Sequence, residues 1–242
     1  MERKLIPIYE AAKMLGVTMT TLRRWDEAGK LKAVRAGEKG HRYYRKKDID
    51  LFIQDLSTIS WEWVIDQAAH ELDSHYHCAN SAIFQSRLEK FNEDLMNIKD
   101  VTAIHSLIVA VTGEIGNNSF DHNLGNWPDV VGIFFGYDLK RRNIVLADRG
   151  IGILASLQRV RPSLASHQDA LRVAFTERIT GRAPESRGNG LKFVRKVICE
   201  YPLTLDFRTG DARLILREGD RDIDIHTEHD EFFRGCFASI TF

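Results

Sequence analysis

Residues 113–123 read GEIGNNSFDHN, and they follow the apolar run AIHSLIVAV at residues 103–111. These eleven residues hold two carboxylates, three asparagines, a serine and a histidine. Polar groups are costly to bury without hydrogen-bond partners, so an apolar helix that runs into such a cluster needs an explanation. We expect either that the cluster lies at the surface or that a polar ligand meets it.

Three of these polar residues, Glu114, Asn118 and His122, are spaced i, i+4, i+8 and therefore share one face of a helix. An amide oxygen is a ligand suited to Mg²⁺, which keeps several waters and also takes phosphate oxygens. A nearby carboxylate can orient or deprotonate a water molecule. The spacing thus favours a site that receives metal, water and phosphate.

A second motif, NIVLADRGIGI at residues 143–153, predicts an apolar strand that ends in Asp148 and is followed by Gly150 and Gly152. A buried carboxylate at the end of a strand can accept a hydrogen bond from an exocyclic amine such as that of adenine. The glycines allow the backbone to approach a base closely.

A third motif, SRGNGLKFVRKVI at residues 186–198, places Gly188 and Gly190 just before an amphipathic helix. The start of such a helix presents free N–H groups to phosphate. Either glycine motif alone is also typical of an ordinary turn beside a helix. All three motifs in this order indicate a nucleotide site.

Together the motifs resemble the N, G1 and G2 boxes of the GHKL ATPases, which include type II topoisomerases, MutL, histidine kinases and anti-sigma serine kinases. EIGNNSFDH is similar to the ELVxNAxxH form with Ser119 at the usual alanine, DRGIG matches DxGxG, and GNGL matches GxGL. The resemblance covers about residues 80–242. It implies that Asn118 holds Mg²⁺, that Glu114 is the catalytic base and that Asp148 reads adenine. The nucleotide-binding residues it implies are Asn118, His122, Asp148, Gly150, Gly152, Gly188, Asn189, Gly190 and Leu191.

The same resemblance predicts the fold and the lid of the site. It implies a GHKL-type two-layer α/β sandwich, with helices on a mixed sheet and residues 153–187 as the ATP lid. Lid arginines that could reach phosphate are Arg159, Arg161, Arg178, Arg182 and Arg187. We expect strands at 130–136, 142–147, 203–209, 212–218 and 236–242, and a loop in the acidic region 219–234.

The N-terminal stretch IPIYEAAKMLGVTMTTLRRWDEAGKL, residues 6–31, predicts two short helices joined by a tight turn. Ile8, Ala11, Ala12 and Leu15 recur at helical spacing, and Gly16 is expected to stop the first helix. Thr18 or Thr20 can cap a second helix whose inner side carries Leu22 and Trp25. Beyond it, LKAVRA and HRYYR indicate a hairpin around GEKG, and a further helix is expected from Asp48.

Residues 5–56 resemble the winged helix-turn-helix of the MerR and excisionase superfamily. The resemblance implies that the second helix enters the major groove of double-stranded DNA and that the hairpin wing touches the backbone or minor groove. Arginines suit guanine edges or phosphates, and phosphate contacts supply much of the affinity. The expected DNA-binding residues are Thr21, Arg23, Arg24, Arg35, Lys39, His41, Arg42, Arg45 and Lys46.

The sequence therefore predicts an α+β protein with three parts: a DNA-binding domain at 1–56, a helical connector at 57–100 and an ATP-binding domain at 101–242. The connector carries an apolar stripe at helical spacing, which we assign to core or dimer packing: Ile83, Phe84, Leu88, Phe91, Leu95 and Ile98. Because no coiled coil follows the first domain, this stripe is the expected homodimer surface and the expected route that couples nucleotide to DNA binding. Metal binding or phosphorylation around His70, His75, His77 and Cys78 is disfavoured, because the spacing fits no common zinc pattern and leaves no room for a phospho-acceptor hairpin.

Composition is consistent with these expectations. Residues 1–56 hold 13 Lys and Arg against 8 Asp and Glu, a net charge of +5 within a chain whose net charge is +0. A basic N-terminal piece favours a polyanionic partner. Three widely spaced cysteines and the absence of a signal-like or membrane-length apolar run predict a cytoplasmic protein with no membrane partner.

The leading hypothesis is a DNA-binding transcriptional regulator whose ATP-binding domain senses nucleotide or controls dimerisation. Two enzymatic alternatives stay open: a serine or threonine protein kinase of the anti-sigma type that acts on a protein partner, and a DNA-targeted ATPase in remodelling or defence. Gyrase-like and MutL-like members use a lysine from a following domain, and none is recognisable here, so any ATP hydrolysis is expected to be slow.

Overall fold

A computed structural model of the chain describes residues 5–14, 18–27, 29, 31–36, 40–46, 48–49, 56–68, 72–179, 189–228 and 232–242, apart from the side chains of Thr21 and Ala36. By its internal contacts the chain divides into two compact units, Met1–Ile59 and Ser60–Phe242. Among the expectations above, the stop at Gly16, the helix from Asp48 beyond residue 49 and any role of His70 lie outside the described residues.

Among the residues that the structure describes, the first unit shows a pair of helices beside a small antiparallel sheet. Its elements are β1 (Leu5–Pro7), α1 (Ile8–Met14), α2 (Met19–Glu27), β2 (Val34–Ala36) and β3 (His41–Arg45). The strands lie in the order β1-β3-β2, so the expected β2–β3 hairpin is present and a third strand flanks it. The sequence did not predict β1, because its three residues run straight into α1.

The core of the first unit follows from the helical spacing in the sequence. Ala11 and Ala12 on α1 and Leu22 on α2 are buried together with Tyr44 on β3, and Trp25 packs against the same cluster. The Tyr44 hydroxyl donates a hydrogen bond to the carbonyl oxygen of Leu22 at 3.1 Å. This bond ties the wing to the second helix through the core.

The second unit is built on a seven-stranded sheet in the order β4-β5-β6-β10-β7-β8-β9. Its strands are β4 (His77–Cys78), β5 (Ile133–Asp138), β6 (Asn143–Asp148), β7 (Thr204–Gly210), β8 (Ala212–Arg217), β9 (Ile225–Thr227) and β10 (Phe233–Thr241). The predicted α+β class is confirmed. The expectation of a mixed sheet is wrong for the described strands, since every pairing among them is antiparallel.

The described helices of this unit are the part of α3 (Leu56–Ile65) from Ser60 onward, α4 (Ser81–Met96), α5 (His105–Asn123), α6 (Gly152–Gln158), α7 (His167–Thr176) and α8 (Gly190–Glu200), with a 3-10 turn at Lys99–Val101. Helices α4, α5, α7 and α8 contribute buried side chains to one large core on one face of the sheet. Because side chains alternate along a strand, Phe237 and Arg208 point to the other face. There they meet Trp61 of α3, whose ring lies 5.3 Å from Phe237 and 4.8 Å from the guanidinium carbon of Arg208.

Helix α4 corrects the expectation of a dimer stripe. Phe84, Phe91 and Leu95 have no exposed surface and Leu88 is 8% exposed, because they fill the core between α4, α5 and the sheet. Side chains that already pack inside their own chain are not available to pair with a second copy. Four of the six residues of the stripe therefore form a core face, and with only Ile83 exposed and Ile98 partly buried the dimer surface we expected there is wrong.

The glycines of GEIGNNSFDHN explain how α4 and α5 approach each other. A Cβ on Gly116 would lie 2.1 Å from the Phe84 ring, and one on Gly113 would lie 3.1 Å from Leu88. The first distance is too short for any side chain, so packing requires glycine at position 116. This role concerns the buried face of α5 and not its polar face.

Region 219–234 holds a strand where we expected a loop. Strand β9 pairs with β8 in the register Leu214↔Ile225, and Ile223 and Ile225 are buried. The alternation of isoleucine with charged residues in DRDIDIHT is the two-residue period of an edge strand, which the acidic composition obscured.

Candidate functional site

The polar face of α5 forms one wall of a cavity of about 370 Å³ in the second unit. Glu114, Asn118 and His122 all line it, which is the shared face that the i, i+4, i+8 spacing predicts. Asn117, Ser119 and Asp121 extend the same wall. The other walls come from the end of β6, from α6 and α7 and from the start of α8. The three sequence motifs therefore meet around one space.

The end of β6 brings Asp148 to this space. Its side chain is buried, with Oδ2 accepting a hydrogen bond of 2.7 Å from the Ser119 hydroxyl and Oδ1 accepting one of 2.8 Å from the N–H of Gly150. Burial raises the pKa of Asp148, and the hydrogen bonds from Ser119 and Gly150 oppose that rise. Since both contacts are donors to Asp148, they suit its acceptor-only, ionised form.

The start of α8 closes on the polar face of α5. A Cβ on Gly190 would lie 2.5 Å from Oε2 of Glu114 and 3.4 Å from Nδ2 of Asn118. Glycine at this position lets the helix start approach the two side chains closely. Asn189 occupies the N-cap position without capping α8 through its side chain, so the first N–H groups of α8 keep their capacity to meet an anion.

His122 is engaged by the first lid helix. Its Nδ1 lies 2.7 Å from the Ser156 hydroxyl of α6, so the last residue of the polar stripe connects α5 to α6. Gly152 and Leu191, two further predicted residues, also line the cavity. Gly150 acts through its N–H group on Asp148, and Gly188 lies outside the described residues.

Arginines of the predicted lid are placed unevenly. Arg161 forms an ion pair of 2.6 Å with Glu177, which holds it across the α6–α7 turn. Arg159 and Arg178 are exposed, and Arg182 and Arg187 lie outside the described residues. A phosphate contact by any of them stays a prediction.

Several residues at the site were missed by sequence reasoning. Asn123 donates to the carbonyl of Ser119 and accepts from the N–H of Ile151, and so ties α5 to the glycine turn. Cys236 lines the cavity beside Asp148 on the neighbouring strand, and burial together with the charge of Asp148 raises the pKa of its thiol well above the usual range. Asn123 lies four residues after Ser119 on the same helix, and this spacing could have indicated their contact. The place of Cys236 beside Asp148 depends on the pairing of β10 with β6, which could not be read from the sequence.

In the described part of the chain, no group of three His, Cys, Asp or Glu side chains could hold a metal ion by itself. None of the helices described here combines the length and hydrophobicity needed to cross a membrane. All three cysteines are free thiols.

The predicted DNA-binding residues of the first unit fall into two groups. Arg23, Arg24, His41 and Arg45 are exposed, and so is Lys46. Arg42 instead donates to Asp26 at 2.7 Å, and Arg35 donates to the same carboxylate at 2.9 Å while its side chain stays 53% exposed. The side chain of Thr21 and the whole of Lys39 lie outside the described residues.

Asp26 thus anchors the wing to α2. It also accepts a hydrogen bond of 3.0 Å from the N–H of Ala33, so three donors converge on one carboxylate. The hydrogen bond from Arg42 is the main reason that the pKa of Asp26 is lowered, although its burial opposes the change. Arg42 and Arg35 therefore shape the wing whatever they contribute to phosphate binding.

The first unit carries a helix-turn-helix domain of the MerR family. Residues 7–44 match the family described as MerR family regulatory protein. Over 54 residues the chain is 43% identical to the Type II methyltransferase M.Eco47II of Escherichia coli, a match that spans 22% of this chain and 13% of that protein. Over 52 residues it is 38% identical to the transcriptional repressor DcmR of Methylorubrum extorquens, spanning 22% of this chain and 20% of that one.

A weaker likeness, to a solved structure, extends beyond the first unit. The ATPase domain of Thermus thermophilus gyrase B, solved as a 43K fragment in complex with an aminocoumarin, is similar over 67% of this chain and 40% of its own, with a TM-score of 0.35 and 17% sequence identity. At that level the likeness carries no functional argument. The cavity is the feature of this unit that bears on its function.

Proposed function

We propose that the chain is a DNA-binding regulator whose second unit binds ATP with Mg²⁺ in the cavity beside α5. The observation that carries the proposal is the convergence of Glu114 and Asn118 from α5, Asp148 from β6 and Gly190 from α8 on one space of about 370 Å³. A cavity of this size, with a few convergent polar groups, suits a nucleotide-sized ligand. The ordering of these groups also suits the parts of a nucleotide.

Each part of the nucleotide meets a group of matching chemistry. Asp148, which accepts hydrogen bonds from Ser119 and Gly150, can accept a further one from the amino group of adenine. The N–H groups at the start of α8 can receive phosphate oxygens, because the helix dipole and its free donors favour an anion. Glu114 lies next to that helix start and can hold or deprotonate a water molecule near the phosphates.

The residues also fit Mg²⁺, which binds proteins through one or two side chains and completes its shell with water and phosphate. Asn118 supplies an amide oxygen next to the helix start that would receive phosphate. When bound, Mg²⁺ would neutralise phosphate charge.

The test is calorimetry of ATP binding with and without Mg²⁺. We expect Asn118→Ala to reduce the Mg²⁺-dependent part of the affinity while Asp148→Asn reduces binding under both conditions. Turnover should depend on Glu114, so a Glu114→Gln protein that binds ATP should release free phosphate more slowly than the wild type. A wild-type chain that binds no ATP would remove the proposal.

DNA binding by the MerR-type domain supplies the other half of the function. Homodimerisation is part of the proposal, because one winged unit reads few bases and two half-sites give firmer specificity. The pairing surface must lie elsewhere than on the buried face of α4.

One observation favours a second candidate, a DNA-targeted ATPase. The chain is similar over 54 residues to part of a Type II methyltransferase, which is an enzyme, as well as over 52 residues to part of a transcriptional repressor. Duplex DNA that stimulates ATP turnover would favour the second candidate. Nucleotide that changes DNA affinity with little turnover would favour the regulator.

A further inference from the structure

Arg149, which follows Asp148 directly, is a buried cation that the nucleotide site does not use. Its residue is 5% exposed although it sits in the glycine-rich turn after β6. Nη1 donates to the carbonyl oxygens of Trp63 at 2.6 Å and Asp66 at 2.8 Å, and lies 3.3 Å from that of Val64. The guanidinium carbon also lies 5.9 Å from the centre of the Trp63 ring. Arg149 therefore reaches across the unit to the C-terminal end of α3.

Helix α3 needs such a partner. The last carbonyl groups of any helix receive no hydrogen bond from an N–H group of the same helix. The helix dipole also gives that end a partial negative charge. Helix α3 has no basic residue in its last turn, and the residues that follow it, Asp66, Gln67 and Ala68, include no glycine cap. Arg149 supplies both the donors and the positive charge from a distant position, separated by 83 to 86 residues from the carbonyl groups it meets.

A carboxylate fixes the guanidinium in place. Asp129 accepts from Nε of Arg149 at 3.1 Å and from Nη2 at 2.8 Å, and Arg234 donates to the same oxygen. Burial alone would raise the pKa of Asp129, but the hydrogen bond from Arg149 and the charges of both arginines lower it on balance. The fork of Arg149 thus has a single well-defined orientation, between Asp129 and the end of α3.

The backbone of Arg149 belongs to the nucleotide-facing turn. Asp148 faces the cavity and receives the N–H of Gly150, so one carboxylate ties together both neighbours of Arg149. Consecutive Cα atoms are only about 3.8 Å apart, so a shift of Asp148 on binding moves Arg149 as well. Helix α3 begins at Leu56, within the last residues of the N-terminal unit, and ends at Ile65 beside Arg149.

We propose that Arg149 is a positioning residue that transmits occupancy of the cavity to α3, the helix whose first residues, 56–59, belong to the N-terminal unit. Nucleotide beside Asp148 changes how firmly Arg149 caps α3, and DNA affinity changes with it. This inference rests on the proposed binding of ATP at the cavity. It replaces the expected coupling through a dimer contact of the α4 stripe, whose side chains are buried in the core of their own chain.

The test uses the full chain and two measurements on each variant. Calorimetry gives the affinity for Mg-ATP, and fluorescence anisotropy gives the affinity for a labelled duplex of mixed sequence with and without saturating Mg-ATP. In the wild type we expect Mg-ATP to change DNA affinity by roughly 5- to 150-fold, the usual range of allosteric coupling. Arg149→Lys keeps the charge but cannot reach Asp129 and the α3 carbonyls together, so it should bind Mg-ATP and DNA while the change in DNA affinity falls below about twofold.

A matched control separates this role from a general loss of buried ion pairs. Arg213 bonds to Asp206 at 2.9 Å and to Glu228 at 3.1 Å, and neither partner belongs to α3. Asp206 also accepts from Arg208, whose guanidinium lies over Trp61, so a change at Arg213 disturbs the sheet face under α3 without touching the contacts of Arg149. Arg213→Met should therefore keep the wild-type coupling. Asp129→Asn weakens the hydrogen bonds that orient Arg149 without altering Arg149 itself, so it should lower the effect of Mg-ATP on DNA affinity. This variant also tests the inference if Arg149→Lys does not fold.

Hydrogen exchange adds a readout that a purely structural role would not move. In the wild type, amides of residues 60–66 should exchange at a different rate when Mg-ATP is bound, and in Arg149→Lys the rate should no longer depend on Mg-ATP. If the wild-type chain binds Mg-ATP and DNA but its DNA affinity is the same with and without Mg-ATP, the role of Arg149 is overturned while the proposed function stands. Coupling of wild-type size in Arg149→Lys would overturn it as well. Wild-type chain that binds no Mg-ATP would overturn the proposed function and this inference with it.

Discussion

The hydroxyl of Ser119 donates a hydrogen bond of 2.7 Å to Oδ2 of Asp148, joining helix α5 to the end of strand β6. Ser119 follows Asn118, and both residues line the cavity. Together with the N–H of Gly150, which donates to Oδ1 at 2.8 Å, the bond fixes the orientation of a buried carboxylate. It therefore makes Ser119 a determinant of how Asp148 meets a ligand.

The first prediction concerns this pair. Ser119→Ala removes one hydrogen bond to a buried charged group, an effect of about 1–3 kcal/mol. We expect it to weaken ATP binding less than Asp148→Asn does, because the acceptor itself remains. Calorimetry of both variants checks the order, and a Ser119→Ala protein that binds ATP more weakly than Asp148→Asn would contradict it.

The second prediction concerns Gly190 at the start of α8. In Gly190→Ala the new Cβ would meet Oε2 of Glu114 at 2.5 Å, but this atom ends a flexible, exposed side chain that can move away. The melting temperature should change little, while ATP turnover falls because Glu114 has been displaced. A folded Gly190→Ala protein with wild-type ATP affinity and wild-type turnover would show that this close approach has no functional role.

Gly116 should behave in the opposite way. A Cβ there would lie 2.1 Å from the ring of Phe84, which is fully buried and has nowhere to move. Overpacking of this kind costs about 1–3 kcal/mol, which outweighs the gain of about 1 kcal/mol in helix propensity. The matched control is Gly113→Ala, where the nearest atom is 3.1 Å away, and denaturant titration should find it clearly more stable than Gly116→Ala.

The arginines of the first unit should separate by role. Replacing exposed Arg23 and Arg24 with Ala should remove sequence preference and lower the salt dependence of binding, by a slope of about one for each phosphate that these side chains neutralise. Arg42→Ala should instead lower the stability of the first unit, because Arg42 holds Asp26 at 2.7 Å. Anisotropy titrations at several salt concentrations, together with thermal melts, distinguish the two. Arg23 and Arg24 variants that keep both sequence preference and salt slope would exclude α2 as the reading helix.

The stability of the first unit should depend on pH through Asp26. The pKa of this carboxyl is lower in the folded chain, so ionised Asp26 stabilises the fold above its unfolded pKa of about 4. That contribution is lost as the pH falls through the lower, folded value. The stability difference between wild type and Asp26→Asn should therefore be largest near neutral pH, at about 1–3 kcal/mol, and shrink in acid. Hydrogen exchange of the α2 amides in the full chain measures this stability difference. A difference between wild type and Asp26→Asn that stays constant down to about pH 2 would rule out this role for Asp26.

Features that depend on local periodicity could be read from the amino-acid sequence. The i, i+4, i+8 stripe and the N-terminal helix pair were visible because a helix repeats every 3.6 residues, and the two glycine motifs became informative because they follow that stripe in a fixed order. The α+β class and most strands followed from the same patterns. The acidic edge strand β9 escaped because its alternating isoleucines were hidden by the charges between them.

The faces that are covered and the distant residues that meet depend instead on the three-dimensional fold. An apolar stripe at helical spacing fits the core of its own chain as well as it fits a second chain, so the burial of Phe84 and Phe91 could not be read from α4 alone. Likewise, an arginine in a glycine-rich turn gives no local sign that it will cap a helix 83 residues earlier. Such contacts depend on how the sheet brings β6, α3 and residue 129 together, and this long-range geometry has no period in the sequence.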